Sequence, residues 1–113
     1  MFNRAKVVPG SSVAVYGCGG VGLNVVQGAA IAGAARIIAV DILPNKLEMA
    51  ESMGATHLVD ASTEDPVTQI LELTGGLGAD YAFEVIGTPR TIEQAFCSVH
   101  RGGIAVVIGV SPL

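Results

Sequence analysis

The chain has 113 residues, 50% of them hydrophobic and only 4% aromatic, with a formal net charge of −4. That is the length of one domain, able to bury roughly 65% of its unfolded surface. A charged fraction of 14% and a mean hydropathy of +0.59 exclude a disordered chain, and the acidic balance with so few stacking rings excludes a nucleic-acid binder.

The elements alternate in chain order. Residues 7–35 carry no charge, but Pro9, Gly10 and the glycines at 17, 19, 20 and 22 interrupt them. A membrane span needs about 20 mostly apolar residues in a row, so none is expected, and Pro9 with Gly10 also cuts short any leader core. Residues 12–17 read as a strand and 20–33 as an uncharged helix, expected to be buried on most sides. A second strand follows at 36–41. The helix at 44–53 opens on Pro44 and turns Leu47, Ala50 and Met53 to one face. Residues 56–60 read as a third strand. The next helix, 66–74, has Asp65 as N-cap and a stripe of Val67, Ile70, Leu71 and Thr74. A strand at 79–87 precedes a helix at 89–101, capped by Thr88, with Ile92, Ala95, Phe96 and Val99 on one stripe. Residues 104–110 form the last predicted strand. The second and fifth strands are nearly continuous apolar runs, as expected where helices cover both faces.

This βαβαβαβαβ order predicts a doubly wound α/β domain, a parallel Rossmann-type sheet spanning residues 1–113. Such sheets usually carry a sixth strand, and the chain stops just after the fifth predicted one, so the sheet is expected to be cut short there. Cys18 and Cys97 cannot build a disulfide framework. A cytoplasmic location is the expectation.

One motif carries chemistry. Gly17-Cys18-Gly19-Gly20-Val21-Gly22 is a GxGxxG pattern that follows a predicted strand and opens a predicted helix. Asp41 ends the next strand 19 residues after Gly22, close to the ~20 of a dinucleotide fingerprint. Gly17 permits the tight turn, Gly19 lets backbone approach a pyrophosphate, and Gly22 lets the helix pack on the strand. The helix N-terminus offers free N–H groups and a positive dipole end to phosphates. A carboxylate at Asp41 would accept both adenosine ribose hydroxyls and repel a 2′-phosphate, which favours NAD over NADP. Lys46 starts the following helix within reach of the same ribose.

The remaining polar residues read as structural. Asp60 and Asp80 are strand-end charges. Glu84 sits inside an apolar strand, with Arg90 as one conceivable partner. His57 and His100 have no nucleophile or carboxylate near them in sequence, and Cys97 on its helix is unremarkable. Cys18 reads as a small packed side chain more readily than as a redox sensor, although a helix N-terminus can lower a thiol's pKa.

Taken together, residues 7–60, the stretch GADYAFEVIG (78–87) and the stretch GGIAVVIGVSP (102–112) resemble the coenzyme-binding domain of zinc-dependent medium-chain alcohol dehydrogenases, nearest the class III, formaldehyde-dehydrogenase-like branch. The resemblance implies that Gly17, Gly19, Gly20 and Gly22 form the pyrophosphate turn and that Val21 packs behind the nicotinamide. It gives Asp41 and Lys46 the adenosine ribose, and Ile42 and Ile86 the two faces of adenine with Gly87 beside it. Ile108 and Val110 would border the nicotinamide. The implied reaction is hydride transfer between an alcohol or aldehyde and NAD, assisted by a zinc ion. The zinc ligands and proton relay of that family lie in a separate catalytic domain. No CxxC, GHE-type motif or Cys–His pair occurs here, so neither catalytic nor metal-binding residues are expected in this chain. The parent enzymes form homo-oligomers, and the chain alone is expected to bind NAD(H) without oxidising alcohols.

Two readings compete: a methyltransferase using S-adenosylmethionine, which also places a glycine turn before an acidic strand end, and a non-catalytic dinucleotide sensor. A short-chain dehydrogenase is disfavoured because no Tyr-x-x-x-Lys occurs.

Overall fold

The computed structural model describes residues 7–108. Its elements in chain order are β1 (Ser12–Tyr16), α1 (Gly20–Ile31), β2 (Arg36–Asp41), α2 (Pro44–Ser52), β3 (His57–Asp60), α3 (Pro66–Leu73), β4 (Ala79–Glu84), α4 (Pro89–Ser98) and β5 (Val99–Val107). All the strand pairs are parallel, in the spatial order β3-β2-β1-β4-β5. This is the doubly wound fold. The order reverses direction at β1, which lies between β2 and β4, so a crevice opens at the carboxyl ends of β1 and β4.

Period-two alternation sorts the strand residues between two cores. Val13, Val15, Ile37, Ala39, Tyr81 and Phe83 face α1 and α2. Ala14, Tyr16, Ile38, Val40 and Ala82 face the other way, toward Ile70 of α3 and Ala95 of α4. The central strands are therefore buried on both faces, as their apolar runs require.

Caps set the helix starts. Asp65 Oδ1 accepts from Val67 N at 3.2 Å, and Thr88 Oγ1 accepts from Thr91 N at 3.2 Å. Each of the two caps precedes a proline at the first turn, where the missing N–H costs nothing.

Four expectations need correction. First, α1 is not buried on most sides: Val25, Val26 and Ala29 are buried, while Val21 in its first turn and Ile31 at its last residue are exposed. Second, β4 stops at Glu84 rather than residue 87. The Glu84 carboxylate captures the N–H groups of Ile86 and Gly87, so they are withdrawn from the ladder. Third, α4 ends at Ser98 and β5 begins at once, with Ala79 opposite Val99 and then Tyr81 opposite Ile104. Two steps along β4 thus match five along β5, and the bulge absorbs the turn expected there. Phe96 falls outside the buried face and is exposed. Fourth, β5 is only half-buried along its length, because it is an edge strand of the described sheet. Among the described residues, no helix is long and apolar enough to cross a membrane.

Candidate functional site

The turn after β1 is made of backbone. Gly17 has φ +104°, a conformation that L side chains rarely adopt, and its N–H donates to Val40 O at 2.8 Å. A Cβ at Gly22 would lie 1.7 Å from the Gly17 carbonyl oxygen. Only glycine lets α1 start this close to the strand. Gly19 and Gly20 differ: a Cβ at either meets nothing within 4 Å. Their bareness therefore serves no contact within the described chain and leaves open space in front of the helix.

That space faces an uncapped helix. Gly19 is the N-cap of α1 and supplies no side-chain acceptor, so the first-turn N–H groups keep their hydrogen-bonding capacity and their partial positive charge. An anion with several acceptor oxygens satisfies both. The cleft here has a volume of about 370 Å³ and is lined by the glycine turn, Asp41, Leu43, Lys46, Val85 and Ile86.

Asp41 is half-buried at the end of β2, and its carboxylate is held on both oxygens. Oδ2 accepts from Cys18 N at 2.8 Å, while Oδ1 accepts from Ile42 N at 2.7 Å and Leu43 N at 3.0 Å. An Asp preceding a proline-started helix commonly makes such local backbone bonds, so that half of the arrangement had a sequence signal. The bond to Cys18, 23 residues away, had none. It ties the Asp41 carboxylate to the glycine turn.

The structure therefore gathers Gly17, Gly19, Gly20, Val21, Gly22, Asp41, Lys46 and Ile86 around one cleft. Ile42 is exposed and outside the lining, where Leu43 stands instead. Gly87 is buried behind Ile86, and Ile108 packs against the core, its N–H on Glu84 O at 2.8 Å. Val110 lies outside the described residues. Leu43, Val85 and Cys18 are lining residues that motif reasoning missed.

Cys18 is fully buried, its thiol 3.7 Å from Val40 O. Burial, and then the Asp41 carboxylate, push that thiol up to about 12. It stays protonated at neutral pH, which removes the redox-sensor reading.

Two other sequence readings change. His100 does have a carboxylate partner: its Nε2 lies 2.8 Å from Asp80 Oδ1, and Asp80 Oδ2 also accepts from Ser12 N at 2.8 Å. Glu84 does not take up Arg90. It is fully buried and accepts from Ile86 N, Gly87 N and Thr91 Oγ1. His57 is bonded through Nδ1 to the Thr56 hydroxyl. Larger clefts of about 420 and 600 Å³ border Asp80 and His100 at the amino ends of the strands. Neither contains the start of a helix, and open α/β sheets bind ligands at the opposite end. Among the described residues, no group of three or more His, Cys, Asp or Glu could hold a metal ion.

Comparison with known proteins agrees with this geometry. Residues 20–113 match the family described as zinc-binding dehydrogenase. The chain is 49% identical over 113 residues to S-(hydroxymethyl)glutathione dehydrogenase of Synechocystis sp., covering 98% of this chain and 31% of that protein. It superposes on benzyl alcohol dehydrogenase of Acinetobacter calcoaceticus with a TM-score of 0.95 at 39% identity, over 99% of this chain and 31% of the other. A zinc-binding dehydrogenase from Sinorhizobium meliloti, described as putative and solved bound to NADP, gives a TM-score of 0.89 at 36% identity, over 95% of this chain and 32% of its own. The chain spans about three-tenths of the length of these relatives. With its parallel sheet, its glycine turn and the match over residues 20–113, the chain belongs to the zinc-binding dehydrogenase family.

Proposed function

We propose that this chain binds a nicotinamide dinucleotide, NAD in preference to NADP, as the coenzyme-binding part of a zinc-dependent alcohol dehydrogenase of the class III type. The observation that carries the reading is the bare, uncapped start of α1 beside the Asp41 carboxylate in one cleft. The first-turn N–H groups would take the diphosphate oxygens. Asp41, oriented by three backbone N–H groups, would accept the adenosine ribose hydroxyls, and Lys46 would reach the same sugar. A 2′-phosphate would meet that carboxylate at contact distance and be repelled, which favours NAD even though one relative binds NADP. Val85, Ile86 and Leu43 would supply apolar walls for the adenosine, with Gly87 buried next to Ile86 and Ile42 exposed next to Leu43. Val21, Ile108 and Val110 would border the nicotinamide.

When bound, the cofactor accepts or gives a hydride at the nicotinamide ring, and the chain's own residues bind and orient it. By likeness to the family, the metal chemistry and the substrate contacts would belong to a separate catalytic domain. The alcohol or aldehyde, the catalytic partner domain and homo-oligomer formation are proposed from the family. Two unpaired cysteines, one of them exposed, fit a reducing cytoplasm.

The test is a fluorescence titration of the purified chain with NADH and NADPH. Saturable NADH binding, at least about tenfold tighter than NADPH, is expected. Absence of binding at millimolar cofactor overturns the reading, and equal affinities overturn the ribose assignment.

A further inference from the structure

Glu84 is the one charged residue among the described residues with no exposed surface. No ion pair accompanies it there, and its oxygens are satisfied by donors that the sheet and helix leave over. Oε2 accepts from Ile86 N at 3.1 Å, Gly87 N at 2.8 Å and Thr91 Oγ1 at 2.6 Å, and Oε1 also accepts from Gly87 N, at 3.0 Å. A buried carboxylate is weak evidence for stability, since its desolvation can cancel what its bonds return. Its consequence here is geometric. Three of the bonds hold Ile86 and Gly87, between β4 and α4, and the fourth ties the carboxylate to Thr91 of α4. Gly87 is held at φ +89°.

That segment is one wall of the nucleotide cleft. Val85 and Ile86 line it, and Val85 Cγ2 and Ile86 Cγ1 stand 2.9 and 2.8 Å from where a Gly17 Cβ would be. We infer that Glu84 is a positioning residue, which sets the Val85–Ile86 wall against the glycine turn and thereby controls affinity for the adenosine half of the dinucleotide. The inference rests on the dinucleotide reading of the cleft. Glu84 itself does not touch the cleft: only backbone N–H groups and the Thr91 hydroxyl reach its oxygens.

A glutamine at this position is a sharp probe. Both carboxylate oxygens accept from Gly87 N, so whichever way the amide turns, its NH2 faces the Gly87 N–H. With its oxygen in the Oε2 position the amide keeps the Ile86, Gly87 and Thr91 bonds. Its NH2, however, replaces the second acceptor of the Gly87 N–H and crowds it, so the segment is held less tightly. The measurement compares two ligands by calorimetry on Glu84→Gln and the unaltered chain: ADP-ribose, which needs the wall, and inorganic pyrophosphate, which needs only the start of α1. The folded variant is expected to bind ADP-ribose about tenfold more weakly, with pyrophosphate affinity changed less than about twofold. A loss of stability alone would not move that ratio. Unchanged ADP-ribose affinity, or equal loss for both ligands, overturns the inference. Should Glu84→Gln not fold, Thr91→Val removes one donor and leaves the carboxylate in place. The same split is then expected at about threefold, and its absence overturns the inference. An unaltered chain that binds neither ADP-ribose nor NADH overturns the dinucleotide reading instead, and Glu84 falls with it.

Discussion

At Gly19 and Gly22, adding one carbon separates the two jobs that glycine does in this turn. A Gly22→Ala chain places its methyl 1.7 Å from the Gly17 carbonyl oxygen. Both groups are backbone-borne, so α1 must shift away from β1 as a unit, at a cost of about 3 kcal/mol. Gly19→Ala meets nothing within 4 Å, and its φ of −79° suits any residue. Its stability should stay within about 0.5 kcal/mol of the unaltered chain, while NADH affinity falls about tenfold, because the methyl occupies the space a phosphate needs. Denaturant melts and NADH titrations of the two variants check this. Equal stability losses would contradict the geometry, and unchanged affinity in Gly19→Ala would remove the phosphate from this end of the helix.

Elements were legible in the sequence wherever one physical cause decided them. The proline-opened helices at Pro44, Pro66 and Pro89 begin as expected, and Asp65 and Thr88 cap two of them through the predicted side chains. That the glycine turn and Asp41 share one cleft was legible because one ends β1 and the other ends the neighbouring parallel strand β2. The junction of α4 and β5 was not, since a bulge placing Ile104 rather than Val99 opposite the middle of β4 is decided by cross-strand contact. Nor were the Asp80–His100 pair and the Cys18–Asp41 bond, which join residues 20 and 23 positions apart. At the element scale, β1 and the turn it feeds carry a pH dependence. Burial pushes Tyr16 from its ordinary 10.0 up to about 12, against the opposing hydrogen bond to Ser98, and pushes Cys18 from 9.0 up to about 12. Both folded pKa values are raised, so their contribution to stability is complete below about pH 9 and is lost as pH rises toward 12. Between those limits the unfolded chain releases protons that the folded one keeps. Melting temperature should hold constant from pH 7 to 8.5 and then fall progressively, and Cys18→Ala should lose the lower part of that fall. A melting temperature flat through pH 11 would show that neither group is buried as described.

On the scale of the whole molecule, the two sides of the sheet's centre are covered, and of its two edges, β3 and β5, the longer is β5. β1, β2 and β4 lie between layers of helices, whereas β5 runs for nine residues at the edge of the described sheet, with Ile104 and Val107 exposed. Its outer N–H and C=O groups have no strand partner among the described residues. A long edge with apolar side chains is a template for pairing with another chain, so the 113-residue chain is expected to self-associate through β5 at high concentration. Its net charge of −4 opposes this at low ionic strength. At about 0.1 M salt the Debye length is near 10 Å, and that repulsion fades while the edge contacts remain. Light-scattering mass should therefore rise with both concentration and salt. Val107→Lys, which puts a charge on the open edge, should restore a monomer without altering NADH affinity, because Val107 lies outside the nucleotide cleft. A monomeric mass for the unaltered chain at high concentration and high salt would show that β5 is already protected.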